Sequence, residues 1–169
     1  MSMASFQDAF HKGLEAYDSA DRARKEIAAV FDDCAKQVSA ASGGAIVLSR
    51  ESTSRVREEA AHAVVLGGFA VRESYQALMA RLVSEPNSSG EELCEYKLAY
   101  HGYPVAIVYA DVDEYCHDKQ SLERALVELL GHPTTGGKLR RLMDLHAKRK
   151  SGGSREHAQA NSDPNGNAE

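Results

Sequence analysis

The chain has 169 residues, 43% of them hydrophobic, and a formal net charge of -5, which fits one globular domain with a buried core and terminal extensions. So mild an acidity excludes wholesale coating of nucleic acid or membrane, although a local patch can still act. No apolar run approaches the roughly 18 residues of a membrane span, no basic-then-apolar leader opens the chain, and Cys34, Cys94 and Cys116 form no CxxC pair; so sparse and odd a count points to free thiols in a cytoplasmic protein.

From about Met3 to Ala41 the spacing predicts one long helix. Phe6, Phe10, Leu14 and Tyr17, then Ile27, Phe31, Cys34 and Val38, recur at helical intervals. Such a helix would outrun a small domain at about 1.5 Å per residue. Either it breaks near Asp18 to Asp21, or its first half projects and pairs with a second copy in coiled-coil fashion. Phe6, Phe10 and Leu14 are therefore candidate partner-binding residues. "SGG" at 42–44 stops the helix.

"AIVLS" at 45–49 reads as a short buried strand, and residues 50–62 as polar and turn-like. "AVVLGG" at 63–68 is a short strand or part of a loop. Residues 74–85 have both helical and strand spacing; the "PNSSG" turn and the strand that follow favour a strand in a meander. Next comes a hairpin. Cys94, Tyr96, Leu98 and Tyr100 share one face, and Val105, Ile107, Tyr109 and Asp111 share one face of the returning strand. With "HGYP" as a four-residue turn, Tyr100 is expected opposite Val105, Leu98 opposite Ile107 and Tyr96 opposite Tyr109. After "DVDEYCHD", Asp118 or Ser121 caps a helix with Leu122, Ala125, Leu126, Leu129 and Leu130 as its buried stripe. Gly131 and Pro133 end it. "TTGG" leads into a last helix with Leu139, Leu142 and Met143 on one side, and the tail from 151 to 169, which lacks Leu, Ile, Val and aromatics, is expected to be disordered.

The expected fold is thus α+β over residues 1–150: a long N-terminal helix, an antiparallel meander of three or four strands, and two C-terminal helices, with the helices on one face of the sheet.

Functional motifs are few. "GHPTTGGKL" misses the phosphate-loop pattern by one residue of spacing, has Leu139 in place of the hydroxyl, and follows a helix. "LGGFA" at 66–70 lacks the dinucleotide-binding spacing. "CHD" at 116–118 offers metal-ligand types, but neighbouring residues do not converge on one ion. Asp111 and Asp113 could hold a divalent ion for hydrolase or nuclease chemistry, yet no lysine accompanies them, and a solvated strand end explains them better. Cys94 and His101 are too far apart along the strand to form a catalytic pair. No catalytic residue, metal or cofactor is therefore assigned. Tyr96, Tyr100 and Tyr109 share a sheet face that could meet a partner. Lys138, Arg140, Arg141, Lys148, Arg149 and Lys150 form a basic helix face that could hold phosphates. The reading favoured is a non-enzymatic interaction protein, a regulator, inhibitor or assembly factor, that contacts another protein and forms a homodimer through its first helix. A nucleic-acid accessory role for the basic helix is the alternative, and no membrane contact is expected.

Overall fold

The computed structural model describes residues 5–56, 72–86, 88 and 90–156. Helix α1 runs from Phe6 to Ala41 without a break, so of the two alternatives the break near Asp18 to Asp21 does not occur. Ser5 caps it by accepting the Asp8 N–H at 3.2 Å. At the other end Gly43 and Gly44 take positive φ values of 64° and 78°, and the Gly44 N–H returns to the Ser39 carbonyl at 2.8 Å, which turns the chain toward the sheet.

Among the described residues five antiparallel strands follow as a simple meander, β1 Ile46–Val56, β2 Arg72–Leu82, β3 Glu91–Ala99, β4 Gly102–Tyr109 and β5 Val112–Cys116, in that spatial order. The α+β class stands, with one strand more than expected. The extra strand is β5, which takes in "VDEYC", a stretch read from the sequence as the lead-in to a helix. β1 is also longer than its apolar core: residues 50–56, expected as a turn, continue the pairing from Arg50↔Leu78 to Val56↔Arg72. Polar side chains obscured them, but a strand beyond the reach of the core has no need of apolar residues. Of the 74–85 stretch, residues 74–82 lie in strand β2, as the turn signals indicated, and 83–85 already form the turn after it. "AVVLGG" at 63–68 lies outside the described residues.

The β3–β4 register differs from expectation by two residues. Leu98 stands opposite Val105 and Tyr96 opposite Ile107. The turn is Tyr100–His101, with Ala99 paired to Gly102 and a register shift just beyond. That irregularity absorbs Tyr103 and Pro104, joined by a cis peptide, where the missing proline N–H breaks no ladder bond. A shift of two leaves every side chain on its expected face, so the core assignment survives the wrong register. Gly102 is required twice over: its φ is +102°, and a Cβ there would lie 2.7 Å from the Ala23 side chain.

Helix α2 spans Lys119–Gly131. Asp118 is its N-cap, and Ser121 answers it: the Ser121 N–H donates to the Asp118 carboxylate at 2.7 Å, and the Asp118 N–H donates to the Ser121 hydroxyl at 3.1 Å. Helix α3 starts at Pro133, its first-turn proline, and runs to Glu156. It therefore contains "TTGG", which was expected as a loop, and the first six residues of the expected tail; residues 157–169 lie outside the described part.

Among the described residues all three helices contribute to one core with one face of the sheet. Ile27, Val30 and Phe31 of α1 and Leu122, Ala125, Leu126 and Leu129 of α2 meet Ile46, Leu48, Leu78, Leu82, Tyr96, Val105 and Ile107, and Leu142 of α3 closes the side. Leu93 and Cys94 are both buried because a bulge opposite Leu78 and Met79 turns two successive β3 residues inward. Ile107 sits at the centre with no exposed surface. Truncating it, Ile107→Ala, is expected to lower stability by about 2–5 kcal/mol, read as a shift of the urea midpoint with an unchanged slope.

Candidate interaction surface

α1 is built in two halves. From Ala20 onward its apolar stripe is buried on the sheet and α2. Residues 5–19 are all exposed, although their apolar spacing continues: Phe6 is 88% exposed, Phe10 63%, Leu14 50% and Tyr17 63%. The helix leaves the sheet at the β3–β4 turn, where it is anchored. Arg24 donates to the Tyr100 carbonyl at 3.2 Å, the Tyr103 hydroxyl donates to Glu26 at 3.0 Å, and Ala23 fits against Gly102. Beyond that point Asp21 and Lys25 pair along the helix at 2.7 Å, and the arm enters solvent.

Beside the large side chains runs a row the sequence reading missed: Ala9, Gly13, Ala16 and Ala20, spaced four, three and four. It lies on the helix face that, further along, covers the sheet. Where it meets the turn, a shallow groove of about 120 Å³ opens between Gly13, Ala16 and Ala20 on one side and Tyr100 and His101 on the other. Tyr100 is 82% exposed there, with its ring edge-on to His101 at 5.2 Å.

The other two tyrosines of the proposed sheet face are not available to a partner. Tyr96 and Tyr109 are buried, Tyr96 against the Phe31 ring at 5.0 Å and Tyr109 edge-on to His132 at 5.5 Å. The helices cover the face that carries them, and only Tyr100, past the strand end, escapes. Phe6, Phe10, Leu14 and Tyr100 thus lie on or beside the arm, while Tyr96 and Tyr109 belong to the core.

The basic face of α3 is largely spent on the protein itself. Lys138 donates to the Glu92 carbonyl at 2.5 Å, Arg141 holds Glu91 with two bonds at 3.0 and 3.2 Å, Arg149 pairs with Glu85, and Arg140 with Asp144 at 3.2 Å. Lys148 and Lys150 are exposed near its end. For Arg141 and Arg149 the countercharge comes from acids of β3 and of the β2–β3 connection, a tertiary pairing that local sequence does not display.

Asp111 sits exposed in the Ala110–Asp111 turn, and Asp113 lies exposed in β5 opposite Val108. Among the described residues no three His, Cys, Asp or Glu side chains group as metal ligands. Cys116 is buried while the next residue, His117, is exposed, so "CHD" does not converge.

The sheet face away from the core carries charges the sequence reading also missed. Glu95 is only 6% exposed; Arg55 donates to its Oε2 at 2.7 Å, and Lys97 Nζ stands 3.1 Å from Oε1, outside hydrogen-bonding geometry, so that Oε1 accepts no hydrogen bond. Arg55 also lies over the Tyr75 ring at 4.7 Å. Beside them Arg81 grips Glu51 with two bonds, which holds the Glu51 carboxyl below its usual range. The alternation of Ser49, Glu51, Thr53 and Arg55 was the available signal for this face.

Comparison with protein-family models, curated proteins and solved structures gives no match. Among the described residues no helix is long and apolar enough to cross a membrane.

The thiols are poor nucleophiles. Burial pushes Cys94 up to about 12 and Cys116 up to about 11, from an ordinary 9.0, and raises Cys34 as well. The folded state thus favours the protonated thiols. Their contribution to stability is fully present below pH 9 and is lost as pH climbs through about 11 to about 12. Burial raises Tyr96 and Tyr109 with the same sign. Urea midpoints are expected to fall steadily above pH 9, and a thiol reagent at pH 8 is expected to leave Cys94 and Cys116 unmodified until the chain unfolds. Fast labelling of either in the folded protein would contradict the assignment.

Proposed function

We propose that the chain is a non-enzymatic interaction protein, a regulator, inhibitor or assembly factor, whose working element is the free half of α1, and that it forms a homodimer through that half. The observation that carries this reading is the exposed line Phe6, Phe10, Leu14 and Tyr17 on a helix that continues past its own domain. Fully burying a side chain of this size is favourable by about 1.5–3 kcal/mol, so four in a row along one helix form a strong site of association. Apolar residues exposed singly are ordinary; a continuous line on a protruding element marks an interface. The helix-in-groove mode of recognition reads such lines directly.

The exposed arm makes the test clean, because changing it leaves the core intact. Sedimentation at tens of micromolar is expected to give twice the chain mass of 18.3 kDa. The double variant Phe10→Glu, Leu14→Glu is expected to give a monomer with an unchanged unfolding transition of its core. A protein retained stoichiometrically from native extract by the unaltered chain, and lost by this variant, supports the wider role. A monomeric unaltered chain, together with identical retained proteins on both, contradicts it.

A further inference from the structure

We infer that two copies pair antiparallel along the free halves of α1, crossing near Gly13 and Leu14, with Phe6 and Phe10 of each seated against the Ala16–Ala20 side and Tyr100 turn of the other. This rests on the homodimer reading above and specifies its geometry.

The arm presents a broad apolar arc that contains both large and small side chains. Phe6, Phe10, Leu14 and Tyr17 flank the row Ala9, Gly13, Ala16 and Ala20. A two-fold interface must be complementary to itself, and here the large residues of one copy have the small residues of the other to pack upon. Gly13 fits this arrangement. A Cβ at that position would meet nothing within 4 Å in the single chain, and glycine weakens an exposed helix relative to alanine. At a helix crossing it lets the two backbones approach closely.

The direction follows from where the sheet lies. From Ala20 onward the same face of α1 rests on its own sheet and α2. A parallel partner would carry its sheet into that occupied space, whereas an antiparallel partner carries it to the opposite end. The register follows from the β3–β4 turn. There Gly102 touches Ala23, and Arg24 is bonded to the Tyr100 carbonyl. The partner's tip is stopped near residues 20–22, which places Phe6 of one copy beside Ala20 and Asp21 of the other. Phe10 then lies by the partner's Tyr17, next to the groove that Tyr100 and His101 border.

Charge agrees with this choice. The polar edge beside the arc carries His11, Asp18 and Asp21. Parallel pairing would stack Asp18 on Asp18, which antiparallel pairing avoids, whereas Asp21 is already balanced by Lys25 of its own helix. The helix dipoles are also opposed only in the antiparallel pair. The four large side chains expose on the order of 500 Å² per chain, given about 150–250 Å² for a whole aromatic residue. A standard interface buries about 800 Å² per partner. The small-residue row and Tyr100 supply the remainder.

The test is a nitroxide at Gln7→Cys in a Cys34→Ala background, measured by pulsed electron resonance alongside sedimentation. Antiparallel pairing sets the two labels about 13 residues apart along the pair, or about 20 Å. A dimer with that separation is the expected result. A dimer with labels at about the 8–10 Å of adjacent helices overturns the antiparallel geometry and leaves the homodimer standing. A dimer with labels far beyond 30 Å overturns the pairing of arms altogether. A monomer at tens of micromolar, with the label mobile, overturns both this inference and the homodimer on which it rests.

Discussion

A helix of 36 residues is about 54 Å long, and five strands side by side span about 20 Å. α1 cannot lie on its own sheet for its whole length, and its residues are divided accordingly. Ile27, Val30 and Phe31 are buried between sheet and α2, whereas Phe6 and Phe10 have the same apolar character with nothing over them. The anchors at Arg24, Glu26 and Ala23 fix the exit point at the β3–β4 turn. Everything before them is displayed by a helix whose direction the core has already set. The core thus sets the direction in which the apolar line leaves the domain, and pairing of the arm completes the helix that the line lies on.

The remaining surface is less inviting to a ligand. On the open sheet face Arg55 and Arg81 are committed to Glu95 and Glu51. On α3 three of the six named cations, Lys138, Arg141 and Arg149, answer acids or carbonyls of the sheet and its connections, and Arg140 pairs within the helix. These pairs organise the two faces and tie up part of the positive charge that could attract phosphates, while Lys148 and Lys150 stand exposed near the end of α3. The buried thiols are likewise held protonated by their surroundings.

Fold class was legible because it depends on periodicity and stop signals, both local. Helical spacing in α1, the glycines that end it, the Asp118 cap and the alternation in β4 were all readable without tertiary knowledge. What was lost had tertiary causes. β5 and the outer half of β1 are strands because neighbours pair with them, not because their polar sequences favour it. The β3–β4 register was missed by two because the irregularity at Tyr103–Pro104 cannot be inferred from hydrophobic matching, which a two-residue slip preserves. Tyr96 and Tyr109 were possible contact residues until the helices were seen to cover them. The arm was legible as an alternative, through the length of the helix, but its small-residue face was not, because alanines in a helix carry no signal by themselves.

Amide hydrogen exchange along α1, followed as a function of protein concentration, tests this account most directly. An uncovered helical extension interrupted by Gly13 is marginal in water, so a paired arm and a free one differ sharply. Residues 24–38 should be protected at every concentration. Residues 8–19 should gain protection as concentration rises and lose it on dilution or in the Phe10→Glu, Leu14→Glu variant. Fast exchange of residues 8–19 at all concentrations would contradict the claim that this half of the helix is a site of self-association.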